Sequence, residues 1–453
     1  MKREALRQRL ETWLLAVWFG YPRGWQKRIY RITAPVLHLL SEQVAKVASR
    51  RATEIQRLPD GTRPAVIIVG NLVVGGSGKT PMVIALARAL TARGLRVGLL
   101  ARGYRTRKAG ARLIDATTPL AEAGDEALLL ARQTGLPVAV GSRRKAALDL
   151  LQARHPDLDV VISDDGLQHR ALPRTLELVM MHPLGLGNGH CLPAGPLREP
   201  IERLNGVDAL LLPEALMPTA RADLQARGLI AKTDTAEGAG DAGGLRTLNP
   251  VRPREEVPAW QPYAASQAAT SGSACSRHTP PPMPASIATP AARRAPSTPP
   301  AQPLLAFDVR TDTAGIRPLG VLGPEALETP EAFAARVGGQ KLAAVAGISR
   351  PERFFSALKK IGLDVARYPL PDHAHISPGW LASLPEARII MTAKDAVKCL
   401  DFPEVLRNRC HVLEIEAVPD PALIEWLMLR LDAADAAPGA GQEPGAGPES
   451  TPG

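Results

Sequence analysis

Short apolar runs recur along the first half of this chain, and between several of them apolar residues return at every third or fourth position. Runs of the first kind predict buried strands at Ala65–Val69, Leu95–Leu100, Pro137–Val140, Leu158–Ile162, Leu176–Met181 and Asp208–Leu212. The second kind predicts helices at Lys79–Arg93, Asp125–Thr134 and Arg143–Ala153. Strand–helix alternation of this sort implies a parallel, doubly wound sheet with ligands at the carboxyl ends of the strands. The pattern then lapses from Thr233 to Pro303, which is dense in Ala, Gly, Pro, Ser and Thr and reads as a disordered insert. Strand-like runs resume at Leu304–Val309, Leu342–Ala346, Leu363–Tyr368, Arg388–Thr392 and Val412–Glu416, predicting a second, smaller α/β lobe before an Ala/Gly/Pro-rich tail.

A different periodicity marks the N-terminus. Leu6, Leu10, Trp13, Leu14, Val17, Trp18 and Tyr21 share one helical face, rimmed by Arg3, Arg7, Arg9, Arg23, Lys27 and Arg28. Such a face suits the interface of an anionic membrane, or docking on the protein's own core, and periodicity alone leaves both open. No stretch approaches the roughly 20 apolar residues of a spanning helix. The expected organisation is therefore an amphipathic helical region (1–50), a doubly wound core (51–232), the insert (233–303), the second lobe (304–432) and a disordered tail (433–453).

Composition narrows the partners. The 453 residues carry a net charge of +10, which favours an anionic partner: nucleotide, nucleic acid or acidic lipid. Aromatic residues make up only 4%, which disfavours a base-stacking surface, and no recognition module for nucleic acid is visible. The four cysteines are scattered without a Cys-x-x-Cys pair, against a zinc ribbon or a disulfide framework. No obligatory protein partner is evident.

The first strand breaks into Val73-Val74-Gly75-Gly76-Ser77-Gly78-Lys79-Thr80, at the start of the first predicted helix. Glycines let successive backbone N–H groups curl around a phosphate, and the helix N-terminus adds partial positive charge. Lys79 would reach the β- and γ-phosphates of ATP, and the Thr80 hydroxyl would hold Mg²⁺. Val73 stands where the usual spacing has glycine. Strand Leu158–Ile162 runs into Ser163-Asp164-Asp165, the carboxylates a P-loop protein uses to organise Mg²⁺, with Gln168, His169 and Arg170 beside them. These features make the expected fold P-loop NTPase-like.

Three further segments carry chemistry less distinctly. Asp125 and Glu126 suit the first turn of a helix. Leu192-Pro-Ala-Gly-Pro-Leu-Arg198-Glu-Pro200 is a rigid loop with one cation, suited to gripping a phosphate or sugar. Pro371-Asp-His373-Ala-His375 lacks a further ligand set at zinc spacing and fits better an Asp/His base acting on a hydroxyl. Thr392-Ala-Lys-Asp395 has the wrong order for the guanine-reading Asn/Thr-Lys-x-Asp of a GTPase switch.

Together these motifs resemble the tetraacyldisaccharide 4'-kinase family. Val69–Pro81, Arg102-Gly-Tyr104, Gly124-Asp-Glu126, Asp164-Asp-Gly-Leu-Gln-His-Arg170 and Leu192–Pro200 carry the likeness, with Ala346–Phe355, Pro371-Asp-His373 and Thr392-Ala-Lys-Asp395 further on. The resemblance implies a membrane enzyme of Gram-negative lipid A synthesis on the cytoplasmic face of the inner membrane. It would move the ATP γ-phosphoryl group to the 4'-hydroxyl of tetraacyldisaccharide 1-phosphate, giving lipid IVA. In its terms Asp125 is the base with His373 as partner, Lys79 neutralises charge, and Thr80, Asp164 and Asp165 organise Mg²⁺. Arg198, Gln168 and His169 are candidates for the substrate, and the N-terminal helix becomes the membrane contact. The family's own loop also lacks the first glycine, as at Val73. Ala393 and Ala374 depart from its usual acid and His, and the long insert is atypical.

Overall fold

The computed structural model of the chain describes residues 13–20, 24–52, 54–103, 110–231, 303–321 and 326–432. The insert expected at 233–303 (but for residue 303), the tail at 433–453, Leu6, Leu10, Tyr21, Tyr104 and the arginines at 3, 7, 9 and 23 lie outside the described residues.

Among the described residues, twelve strands form one sheet. In chain order they are β1 (Ala65–Gly70), β2 (Val97–Ala101), β3 (Arg112–Ile114), β4 (Val138–Val140), β5 (Val160–Asp164) and β6 (Leu176–Met180), followed by β7 (Ala209–Pro213), β8 (Leu305–Pro318), β9 (Leu342–Ala346), β10 (Val365–Pro369), β11 (Arg388–Thr392) and β12 (Cys410–Pro419). Their spatial order is β10-β9-β11-β12-β8-β7-β6-β1-β5-β2-β4-β3. Only β3/β4 and β8/β12 pair antiparallel. Central strands such as β1 and β5 are buried along their whole length, which is why they read as continuous apolar runs rather than alternating ones.

The strands predicted as a second lobe continue the sheet of the first half. Strand β8 makes the join: Leu305–Val309 pair with β7, and Val309–Pro318 pair with β12 across a bulge at Glu414/Ile415. Its expected end at Val309 proves short by nine residues, because Arg310-Thr-Asp-Thr is polar and largely exposed on both faces. Pairing with β12, rather than burial, holds that stretch extended. One apolar cluster crosses the join: Met82, Val83 and Leu86 of helix Lys79–Ala92 share it with Phe307, Ala417 and Leu427. Helix Lys79–Ala92 packs directly on β12.

The N-terminal segment departs from expectation. Trp13 and Val17 are buried, Trp18 Nε1 donates to the Pro193 carbonyl at 3.1 Å, and Phe19 stacks on His182 at 4.9 Å between ring centroids. Their face therefore docks on the protein itself. The exposed apolar face belongs instead to helix Trp25–Ala52, along Trp25, Ile29, Ile32, Val36, Leu39 and Val47.

A buried ion cluster ties the segment that follows this helix to the sheet. Glu177 on β6 is fully buried, and its carboxylate receives Arg174 at 2.7 Å, Arg57 at 2.6 Å and Arg203. Arg174 is itself fully buried, so losing the carboxylate would strand its charge. Glu177→Ala is expected to cost about 3–5 kcal/mol, read as a lowered urea midpoint, whereas Glu177→Gln retains part of the hydrogen bonding and costs less.

Candidate active site

Strand β1 delivers the glycine loop. Gly75 and Gly78 adopt φ of 108° and 88°, conformations open to glycine, and Gly78 caps helix Lys79–Ala92. Asn71, fully buried directly after the strand, organises the turn: its Nδ2 donates to the carbonyls of Val73 and Gly75, and its Oδ1 accepts from Lys79 Nζ at 3.0 Å. Sequence reasoning passed over Asn71; a lone amide between an apolar strand and a glycine loop was its only signal.

The Leu192–Pro200 loop lies against this turn. Val73 bridges Leu197 antiparallel, Val74 N–H donates to the Pro196 carbonyl at 2.9 Å, and Arg198 N–H donates to the Leu72 carbonyl at 2.8 Å. Val73 and Val74 were expected at the phosphates. The Val73 side chain is buried in the core, the Val74 N–H donates to Pro196, and both residues pack against the Leu192–Pro200 loop. From the other side, a Cβ on Gly76 would lie 3.3 Å from Ser349 Cβ, so the turn after β9 closes over the glycines. Burial lowers the pKa of Arg350 and Arg353 in that region. Burial, then the charges of Arg350, Arg353 and Lys79, push His182 down to about 3.

The two acids at the end of β5 part company. Asp164 is buried on the strand and accepts from Thr80 Oγ1 at 2.8 Å. Burial first, then the charge of Glu126, raises its pKa to about 6 against the pull of Lys79 and the Thr80 hydrogen bond. Asp165 has turned into the left-handed region at φ 52° and meets Lys79 Nζ at 3.3 Å and Arg198 Nη1 at 3.0 Å. Burial works to raise its pKa, but the Lys79 and Arg198 charges outweigh it and hold it at about 2. Arg198 also reaches Gln168 Oε1 at 3.2 Å, and Gln168 Nε2 donates to the Asn71 carbonyl at 3.3 Å, so Arg198 and Gln168 join the phosphate loop. At His169, burial, with Arg144 and Arg102, lowers the pKa to about 4 and keeps the ring neutral against the Asp165 charge. Arg144, which sequence reasoning missed within a helical run, is buried and donates to the Asp164 carbonyl at 3.1 Å.

Oxygen donors of this kind fit Mg²⁺. Thr80 and Asp164 form a hydroxyl–carboxylate pair, and the buried Ser77 hydroxyl within the loop has no hydrogen-bond partner among the described residues.

Asp125 and His373, 248 positions apart, meet at 2.7 Å between Oδ2 and Nδ1. Asp125 opens helix Asp125–Thr134 after Gly124 at φ 80°, and His373 is held at φ 58° beyond β10. Burial would raise the Asp125 pKa, but the His373 hydrogen bond and the Lys394 charge bring it below the ordinary value. Lys394 stands 3.1 Å from both His373 Nε2 and Glu126 Oε1.

A glycine loop ending in a lysine with strand-end carboxylates facing it defines a P-loop nucleotide-binding protein, and a separate Asp–His pair beside the loop suits transfer to a hydroxyl. A family model described as LpxK, Tetraacyldisaccharide-1-P 4'-kinase, matches residues 33–257 and 291–432. The chain belongs to this tetraacyldisaccharide 4'-kinase family. It is 32% identical over 426 residues to the tetraacyldisaccharide 4'-kinase of Dechloromonas aromatica (93% of this chain, 98% of the relative). Against that of Azotobacter vinelandii it is 34% identical over 390 residues (84% and 87%). The fold matches a crystal structure of Aquifex aeolicus LpxK in complex with ATP with a TM-score of 0.56 at 21% identity, covering 89% of this chain and 99% of that one.

Asp164 yields a linkage prediction for the metal-free protein. Its folded pKa of about 6 lies above the ordinary 3.8, so the native state binds the proton more tightly than the unfolded chain does. That contribution favours the fold at low pH and is lost as pH rises through about 6. In EDTA at pH 7.5, Asp164→Asn is expected to gain on the order of 1–3 kcal/mol in urea unfolding. An unchanged or lowered midpoint would refute a buried carboxylate whose burial outweighs its partners.

Proposed function

We propose that Asp125, Lys79 and the Thr80/Asp164 pair carry out the family's reaction in this chain. The activity is that of an ATP-dependent kinase of lipid A biosynthesis, with ATP and Mg²⁺ as cofactors and the tetraacyldisaccharide 1-phosphate precursor as acceptor. The observation that carries the site reading is the 2.7 Å Asp125–His373 contact, an oriented carboxylate with no salt-bridge role in the loop itself. As the 4'-oxygen attacks the γ-phosphorus, its proton passes to Asp125, and the bond to the β-phosphate oxygen breaks to release ADP. The Gly75–Lys79 N–H groups cradle the phosphates, and the Lys79 ammonium neutralises charge that builds on them. Thr80 and Asp164 would hold the metal directly, with Asp165 set by Lys79 and Arg198. When bound there, Mg²⁺ would supply neutralisation of the phosphate charge. Arg198 and Gln168, joined to the phosphate loop, are the better-supported substrate contacts, with His169 further back.

The membrane reading moves to helix Trp25–Ala52. No described helix is long and apolar enough to cross a membrane. The exposed face through Ile29, Ile32, Val36 and Leu39, with Lys27, Arg28, Arg31, Arg50 and Arg51 on the same helix, fits shallow insertion into an anionic surface. We place it peripherally on the cytoplasmic face of the inner membrane, where an acylated acceptor would be held.

Two outcomes test these assignments. Lys79→Ala is expected to abolish transfer, and Asp125→Asn to slow it about 10²–10⁴-fold with the urea midpoint retained; ATP turnover that ignores the acylated disaccharide phosphate would instead indicate a regulatory ATPase. Replacing Ile32, Val36 and Leu39 together with Glu should abolish co-sedimentation with vesicles containing anionic lipid. Binding that persists would place the membrane contact elsewhere.

A further inference from the structure

Thr392-Ala-Lys-Asp395 takes no part in the scheme above, yet it is built with care. Asp395 is fully buried; its carboxylate accepts from Gly347 N–H at 2.8 Å, Thr392 Oγ1 at 2.7 Å and Lys398 at 2.7 Å. The same Gly347 accepts from His373 N–H through its carbonyl at 3.3 Å. Asp395 thus fixes the turn bearing Lys394 and the turn bearing His373 to one another, and Gly347 is needed because a Cβ there would fall 2.8 Å from the carboxylate.

The Lys394 ammonium is met by three acceptors: Glu126 Oε1 at 3.1 Å, His373 Nε2 at 3.1 Å and Asp372 Oδ1 at 3.4 Å. An ammonium has three donors and no lone pair. His373 Nε2 must therefore accept, which leaves the single ring proton on Nδ1, 2.7 Å from Asp125 Oδ2. We propose that Lys394 is a positioning residue that locks His373 in its neutral Nδ1–H form, so that the acceptor's proton stops at Asp125 and does not pass through His373 to Nε2. This rests on Asp125 being the base.

The charges around the ring show why a cation is needed. Asp125, Glu126 (3.9 Å from Nε2) and Asp372 (3.8 Å from Nε2) all favour an imidazolium, while Lys398 is held by Asp395. Lys394 opposes them from 3.1 Å at Nε2. Glu126, Asp372 and Asp125 in turn raise the Lys394 pKa against its burial, the largest single influence, and keep it charged. Without that ammonium Nε2 would be free to carry a proton facing Glu126 and Asp372, and the Asp–His pair would become an internal ion pair with a weaker base.

The test compares wild type, Lys394→Met, Lys394→Arg and Asp125→Asn in pH–rate profiles with ATP and the acylated disaccharide phosphate. Alongside runs ¹⁵N NMR of ring-labelled histidine without substrate, with His373 assigned by His373→Gln. The acid limb of kcat should move up by about 1–2 pH units in Lys394→Met and return toward wild type in Lys394→Arg. The wild-type His373 spectrum should show a protonated Nδ1 and a bare Nε2 at neutral pH, and in Lys394→Met its titration should move to higher pH. A uniform fall in rate with the limb unmoved, or a wild-type ring protonated on Nε2, overturns the proposal. The wild-type spectrum decides even where Lys394→Met folds poorly. Retained transfer in Asp125→Asn would overturn the base assignment instead, and the spectra would still report whether Lys394 sets the tautomer.

Discussion

A long strand whose faces are largely polar must find partners for every backbone group, and β8 finds them on both sides. Its first residues pair with β7 and the remainder with β12, so the halves of the chain share a sheet rather than touching through a hinge of loops. Everything at the site depends on that continuity. It brings the turn after β9 over Gly76, and it brings His373 onto Asp125. The helix that begins with Lys79 packs on β12, so the phosphate loop and the distal strands are positioned by the same core.

Within that frame, the site sorts like charges into different tasks by burial and partner. Asp164 and Asp165 are neighbours in the chain, yet one is lifted toward neutrality on the strand and the other is held ionised by two cations in the turn. The left-handed backbone at Asp165 accomplishes the separation by turning the second carboxylate away from Thr80 and toward Lys79 and Arg198. A comparable sorting occurs at the Asp125 end. There Lys394 stands between the carboxylates of Glu126 and Asp372 and the imidazole of His373.

The N-terminal region shows how periodicity can identify an amphipathic face and leave open what covers it. Trp13 and Val17 do share a face, and it is buried against the protein, with Trp18 bonded to the Leu192–Pro200 loop. The next helix carries apolar residues in excess of what its own contacts cover. A hydrophobic pattern states that a face will be buried; it does not state in what.

Much of this was legible in residue order, for identifiable reasons. Buried parallel strands need continuous apolar runs, and a phosphate loop needs glycines and a lysine at close spacing; both are local demands that leave local traces. That is why β1, β5 and Gly75–Thr80 could be read directly. Asp125 and His373 were reached through family likeness, since each alone is an ordinary helix-start acid or loop imidazole. The parts that stayed hidden are those whose partners lie far along the chain. Asn71, Arg144 and Lys394 are unremarkable in sequence and acquire roles from Lys79, the Asp164 carbonyl and His373 respectively. The extent of β8 was hidden likewise, because β12 rather than its own pattern holds it extended. Short-range order determined the nucleotide loop and the sheet that presents it. Only the closed sheet decided which acid meets Thr80, which lysine meets the imidazole and which helix face remains exposed, because hydrogen bonds and charge pairs depend on distance in space and not on separation along the chain.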